Sequence, residues 1–296
     1  MFTIIGIVVV FGAIIGGYLL EHGKLAVLFQ PAELIIIGGS AAGTIFIANP
    51  LPVLIRMGKG IAGTFSSSRF TKEFYLENLK MLNELFQTAR KQGLMKLESD
   101  VEDPEKSTIF GKYPKFLKDH HAVHFVCDTL RMSISGGVGA FDLDQMMESD
   151  MEVHHHEASA PVQALSTMAD SLPGLGIVAA VLGVVITMGA LGGPPEEIGH
   201  KVAAALVGTF LGILLCYGLF GPLASNMTKA NEAEHSYYLF LRTALVSSVK
   251  GFAPLMALEF GRRTIPAQLR PTFQEMEQAL KGVTTAAPPA PAKESG

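Results

Sequence analysis

The sequence predicts an all-α polytopic membrane protein with four transmembrane helices and a helical cytoplasmic domain. Three observations carry that reading. The chain has 296 residues, 49% of them hydrophobic and only 17% charged, which is too apolar for an ordinary soluble domain. Four apolar stretches approach the roughly 20 residues that a helix needs to cross a bilayer. The polar remainder shows apolar residues at helical spacing, and Gly and Pro punctuate it.

The first segment, Phe2 to Leu20, has no basic residues before it, and Gly16-Gly17-Tyr18-Leu19-Leu20 is a poor small-residue cleavage site. It is expected to stay as a membrane helix (1–21), followed by a short outer loop (22–31). The second, Leu34 to Ala48, has a short apolar core, but Pro31-Ala32-Glu33 supplies a helix start, with Glu33 at the positive end of the dipole. It is assigned to 32–49. Residues 50–169 are long enough for a cytoplasmic domain. Within them Phe74, Leu76, Leu79, Met81, Leu82 and Leu85 recur at helical spacing, Asp103-Pro104 breaks the pattern, and Tyr113-Pro114 turns the chain before a stripe at Phe116, Val123, Val126, Leu130 and Met132. Ser135-Gly136-Gly137 closes that stripe, and Phe141 to Leu165 reads as an acidic helix. The third and fourth segments are placed at 170–192 and 202–226, with an outer loop at 193–201. Helices are expected to continue over 227–283, and the Ala- and Pro-rich residues 284–296 read as disordered.

Charge sets the expected orientation. The short connections carry one basic residue each, Lys24 and Lys201, whereas Arg56, Lys59, Arg69 and Lys229 flank the other membrane ends. Positive-inside reasoning therefore puts both termini in the cytoplasm. The net charge of −4, with no free-standing block of Lys or Arg, suggests no nucleic-acid role. Cys127 and Cys216 fall in different environments and are not expected to form a disulfide.

No ionisable residue lies near the middle of any segment. A chain that moved ions by itself would normally keep one there, so the missing group comes from a partner, or nothing is conducted. Small-residue stripes mark where helices approach closely: Gly12 and Gly16, Gly39 and Gly43, Gly176, Ala180 and Gly183, and Ala204, Gly208 and Gly212. The first two pairs are read as packing within the chain. The stripes of segments three and four are read as facing a second chain, because polar Thr187, Thr209 and Tyr217 lie beside them. The plain alternative for each Thr is a hydroxyl bonded back to a carbonyl one turn earlier. Pro173 and Pro222 mark either helix ends or hinges.

Ser171-Leu172-Pro173-Gly174-Leu175-Gly176, Val207-Gly208-Thr209-Phe210-Leu211-Gly212, Gly221-Pro222-Leu223-Ala224, Gln30-Pro31-Ala32-Glu33-Leu34 and Glu259-Phe260-Gly261-Arg262 closely resemble the MotA family of flagellar motor stator subunits. The resemblance covers nearly the whole chain. It implies a ring of five chains in the bacterial inner membrane around two copies of MotB, which supplies a membrane aspartate. It implies that Arg90 and Glu98 face opposite charges on the rotor protein FliG, where charges taken alone would read as a solvated helix face. It also implies that Pro173 and Pro222 couple ion flow to torque, and that Thr209 lies near the ion path. Sodium-driven relatives tend to place Thr where this chain has Ala180, whose methyl offers a cation no oxygen, so protons are the expected coupling ion, with no cofactor.

His154-His155-His156 departs from that resemblance. Adjacent residues on a helix point in different directions and chelate poorly, so the run reads as a solvated, pH-sensitive surface rather than a metal site. Two other functions compete: an energiser of the ExbB or TolQ type, which has three membrane helices and lacks the long loop, and a membrane scaffold that conducts nothing. No nucleophile, metal or cofactor motif points to an enzyme.

Overall fold

The computed structural model describes residues 2–189, 192 and 194–284, and the residues described are helices and the turns between them. In chain order the helices are α1 (Phe2–Leu20), α2 (Leu25–Leu28), α3 (Pro31–Ala48), α4 (Leu51–Gly63), α5 (Lys72–Gln92), α6 (Glu98–Glu102), α7 (Pro114–Leu117), α8 (His120–Ser135), α9 (Ala140–Met188), α10 (Pro195–Leu215), α11 (Gly221–Val249), α12 (Pro254–Thr264) and α13 (Phe273–Thr284). Four stretches are long and apolar enough to cross a membrane: Phe2–Leu20, Leu25–Ala48, and parts of Ala140–Met188 and of Pro195–Val249. The expected disordered tail lies almost wholly outside the described residues.

Several boundaries differ from the sequence reading. The acidic helix and the third segment are one helix, α9, because Pro161 and Pro173 both sit inside it. Pro195 to Lys201, read as loop, forms the first turns of α10, with Pro195 in the first turn, where its missing N–H costs nothing. Residues 51–63, read as the start of the cytoplasmic domain, form the amphipathic helix α4.

The chain divides into two compact units, Met1–Ser67 with His156–Asn231, and Ser68–His155 with Glu232–Gly296. The first is thinly cored. Ile37 and Ala41 of α3, Leu165, Leu172 and Ala179 of α9, and Cys216, Leu223 and Met227 are buried together, while α1 buries no residue at all. Its exposed Val8, Val9, Ile35, Val185 and Leu206 would be a liability in water and are ordinary against lipid or other apolar helices.

The second unit has a soluble-protein core. Thr71 caps α5 by accepting from the Phe74 N–H at 3.2 Å. From there Phe74, Tyr75, Leu79, Leu82, Leu85 and Phe86 turn inward. Glycine ends the helix at Gly93, whose φ of +87° is a conformation that L side chains rarely adopt. Asp119 caps α8 in the same manner, and Gly136 (φ +72°) stops it after Ser135. Tyr75, Tyr237 and Phe240 are fully buried, Tyr75 meeting the other two edge-on while Tyr237 and Phe240 stack, and Tyr237 donates its hydroxyl to Asn78 Oδ1 at 2.8 Å. Each such side chain contributes on the order of 1.5–3 kcal/mol when buried.

Candidate functional site

The small-residue stripes of α9 and α10, expected from the sequence to face a second chain, meet each other. A Cβ added to Gly176 would lie 2.7 Å from the Gly208 carbonyl oxygen and 3.3 Å from Thr209 Cα, and one on Gly183 would meet Ala205 Cβ at 2.7 Å. Only glycine permits that approach. Gly12, Gly16, Gly39 and Gly43, read as packing within the chain, have open space where a Cβ would sit. Spacing defines a small-residue face but not the surface it meets.

Ala180 and Thr209 lie at this α9–α10 contact, each half-buried. Thr187 is buried and its hydroxyl donates to the Gly183 carbonyl at 2.8 Å, the plain back-bonding alternative. Thr209 makes no hydrogen bond among the described residues, so its hydroxyl stays available. Tyr217 is separated from this group and is 72% exposed.

The residue that spacing should have brought forward is Glu33. It is 6% exposed, and its Oε2 is buried without a hydrogen-bond partner. A Cβ on Gly208 would lie 2.6 Å from that oxygen, 3.2 Å from Ala179 Cβ and 3.3 Å from the Ala180 nitrogen. The carboxylate therefore fills the notch left by a missing side chain on α10. The signal was present in the sequence, because Glu33, Ile37 and Ala41 share one helical face four residues apart and are the three buried residues of α3. Near the start of the same helices, Gln30, Glu196, Glu197, His200, Lys201 and Ala204 line an open depression of about 450 Å³.

Neither proline ends a helix. Pro173 lies within α9. Pro222 follows a π-helical turn, Cys216–Phe220, in which the Gly221 N–H reaches the Cys216 carbonyl. A proline inside an α-helix clashes with the carbonyl four residues earlier, and the widened turn before Pro222 relieves that clash while the chain stays helical.

Arg90 closes α5 and Glu98 opens α6, on either side of Gly93 and the 3-10 turn Leu94–Leu97. Both are exposed. Elsewhere in this unit the charges are widely paired: Lys72–Glu275, Lys112–Glu84, Lys115–Glu77, Arg131–Glu102, Arg242–Asp144 and Arg262–Glu259. Arg90, Lys91, Lys96 and Glu98 enter no ion pair among the described residues. Arg90 also lines a cavity of about 290 Å³ with Phe86, Leu94, Leu97, Leu130 and Phe252.

Of the histidine run, His156 is exposed, whereas His154 and His155 are half-buried. His154 packs on His121 with ring centroids 3.9 Å apart and approaches Glu234 at 3.8 Å, while His155 meets His235 at 4.9 Å. Among the described residues no group of three His, Cys, Asp or Glu is disposed to hold a metal ion. Cys127 and Cys216 are both free, and burial pushes the Cys127 thiol up to about 12, which makes it inert.

Residues 4–93 match the motility protein A N-terminal family, and residues 118–238 match the MotA/TolQ/ExbB proton channel family. The chain is 39% identical over 283 residues to Motility protein A of Salmonella typhimurium, covering 96% of each. Its fold is similar to a chain in the structure of C. jejuni MotAB, with a TM-score of 0.74 at 18% identity, over 90% of this chain and 95% of that one. It is similar also to a chain of the flagellar MotAB stator complex from Bacillus subtilis, with a TM-score of 0.70 at 25% identity, over 87% and 92%.

Proposed function

The chain belongs to the motility protein A family, and from that premise we propose that it is a stator subunit of the bacterial flagellar motor, which with a MotB-type partner turns proton flow into torque on the rotor. The observation that carries the ion-path half of this reading is the α9–α10 contact, close-packed on glycine, where Ala180 borders Gly208 and Thr209, its hydroxyl unbonded among the described residues, borders Gly176. A partner's membrane aspartate set against that surface would gain or lose its charge as a proton arrives and leaves. The change in charge alters the cost of holding the group there, so the ring prefers a new position. One charge crossing the membrane is worth about 2.3 kcal/mol per 100 mV, enough to bias each step.

The torque half rests on Arg90 and Glu98. Their charges are unspent within the chain and stand at one exposed turn, as a contact with opposite charges on FliG requires. Five chains around two copies of the partner, in the inner membrane with both termini cytoplasmic, complete the reading. Four membrane-length helices and the N-terminal family match speak against an energiser of the ExbB or TolQ type.

The test is motility in cells whose own copy of this chain is removed. Arg90→Glu and Pro173→Ala should each abolish or strongly slow swimming while the protein stays at normal abundance and flagella assemble. In the unmutated strain swimming should follow the proton gradient and ignore the sodium gradient. Normal swimming in both mutants would sink the torque reading, and sodium dependence would sink the argument from Ala180.

A further inference from the structure

We propose that Glu33 is a proton-carrying residue of this chain, set between the polar depression at the start of α3 and α10 and the α9–α10 contact that carries Ala180 and Thr209, against which the proton-channel reading sets the partner's membrane carboxylate. The inference rests on the proton-channel reading and adds to it a relay group that this chain supplies itself.

A structural role for Glu33 has a visible standard of comparison within the molecule. Glu275 also stands at the third position of a helix, and there its carboxylate accepts the Thr272 N–H at 2.7 Å while the Thr272 hydroxyl accepts the Glu275 N–H at 3.2 Å, a reciprocal cap. Glu33 occupies the same position in α3 and makes no such bond. Its helix begins at Gln30 without a side-chain cap, and the Gln30 amide is engaged instead with the Val27 carbonyl at 3.0 Å. Glu33 is aimed inward, at the Gly208 notch beside the Ala179–Ala180 backbone. An ionisable group buried between membrane helices with no partner is costly, and such groups persist where they line an ion route.

The route has an entrance. Gln30 lies three residues before Glu33 on the chain, and Ala204 lies one turn before Gly208, so the helices that enclose the carboxylate open, about one turn away, onto the depression lined by Glu196, Glu197, His200 and Lys201. Those four come from α10, and the connection before α2, which packs on α10, adds Glu21, His22 and Lys24 at the same end of the helices. α9 carries none between Asp170 and Met188, and α3 carries only Glu33. A proton carried by water in the depression transfers to Glu33 Oε2 and is then handed to the partner's carboxylate. No bond other than the O–H changes, and one positive charge advances with each transfer.

The test uses the full chain with its partner in cells lacking their own copy, reading the rotation rate of tethered cells as outside pH is moved from mildly acidic to mildly alkaline. Pull-down of the partner from the membrane accompanies each variant. Glu33→Gln cannot carry a proton and should lower rotation about a hundredfold at every pH with the complex intact. Glu33→Asp keeps a carboxylate and should rotate with a displaced pH profile. Rotation by Glu33→Gln at the unmutated rate overturns the proposal. So does a Glu33→Asp profile that superimposes on the unmutated one, including the case in which Glu33→Gln merely fails to assemble. If rotation of the unmutated motor ignores the proton gradient altogether, the proton-channel reading itself fails, a result distinct from either.

Discussion

His121 illustrates how a side chain's neighbours set its chemistry. Burial, and then the neighbouring His154, hold its imidazole below the ordinary range, against Asp150, Asp119 and Glu234, which pull the other way. Its Nδ1 lies 2.9 Å from the Tyr238 hydroxyl. His235 is lowered likewise, by burial and then by His155 and His154. Burial raises Glu234 more than any other single influence, yet the neighbouring His154 and Arg69 bring it below the usual carboxylate range. The sign follows directly. A histidine lowered in the folded state stays neutral when the unfolded chain has begun to protonate, so its stability is complete above the unfolded value of 6.5 and is lost as pH falls through the folded value. Purified protein should therefore melt a few degrees lower on the acid side of 6.5 than on the alkaline side, and His121→Phe should flatten that dependence. A melting temperature that does not respond to acid would refute this. The histidine run was visible in the sequence, but its partners were not, because His121 and His235 come from other helices.

At the scale of elements, the α9–α10 contact makes the sharpest forecast. Gly176 and Gly174 stand two residues apart on α9, the first against the Gly208 carbonyl and the second facing open space. Gly176→Ala must displace backbone and should cost about 1–3 kcal/mol, as overpacking does, whereas Gly174→Ala should be neutral or gain up to about 1 kcal/mol from helix propensity. Equal unfolding midpoints for the two variants in a mild detergent titration would contradict the contact. Some element ends could be read in advance: Asp103-Pro104 breaks α6 and Gly136 stops α8, each through a local backbone requirement that the residue itself carries, while the Thr71 and Asp119 caps and the Gly93 stop emerge from the structure. Pro173 and Pro222 could not be read so, because a proline reports a lost N–H and a clash but not whether the chain stops, bends or widens into a π turn.

At the scale of the whole molecule, the first unit leaves apolar surface uncovered. α1 buries nothing, and Gly12, Gly16, Gly39 and Gly43 line faces open enough for another helix. On the stator reading some of these faces meet neighbouring copies. Native mass spectrometry of the complex in detergent should find five chains of 31.6 kDa with two of the partner; a monomer or dimer as the largest species would overturn the ring. The sequence by itself determined the class of protein, the four membrane-length helices, the helical character of the polar unit and some of the places where local chemistry stops a helix. Hydropathy, period and caps are properties of neighbouring residues, so they survive without a fold. Only the tertiary structure decided that the α9 and α10 stripes meet each other, that the Thr209 hydroxyl is left unbonded while that of Thr187 is not, and that Glu33 ends in a buried notch at Gly208. A helical period specifies which residues share a face. What that face touches depends on other helices, the next one along for α9 and α10 and a far more distant one for Glu33 and Gly208, and the environment of a carboxylate is set by what it touches.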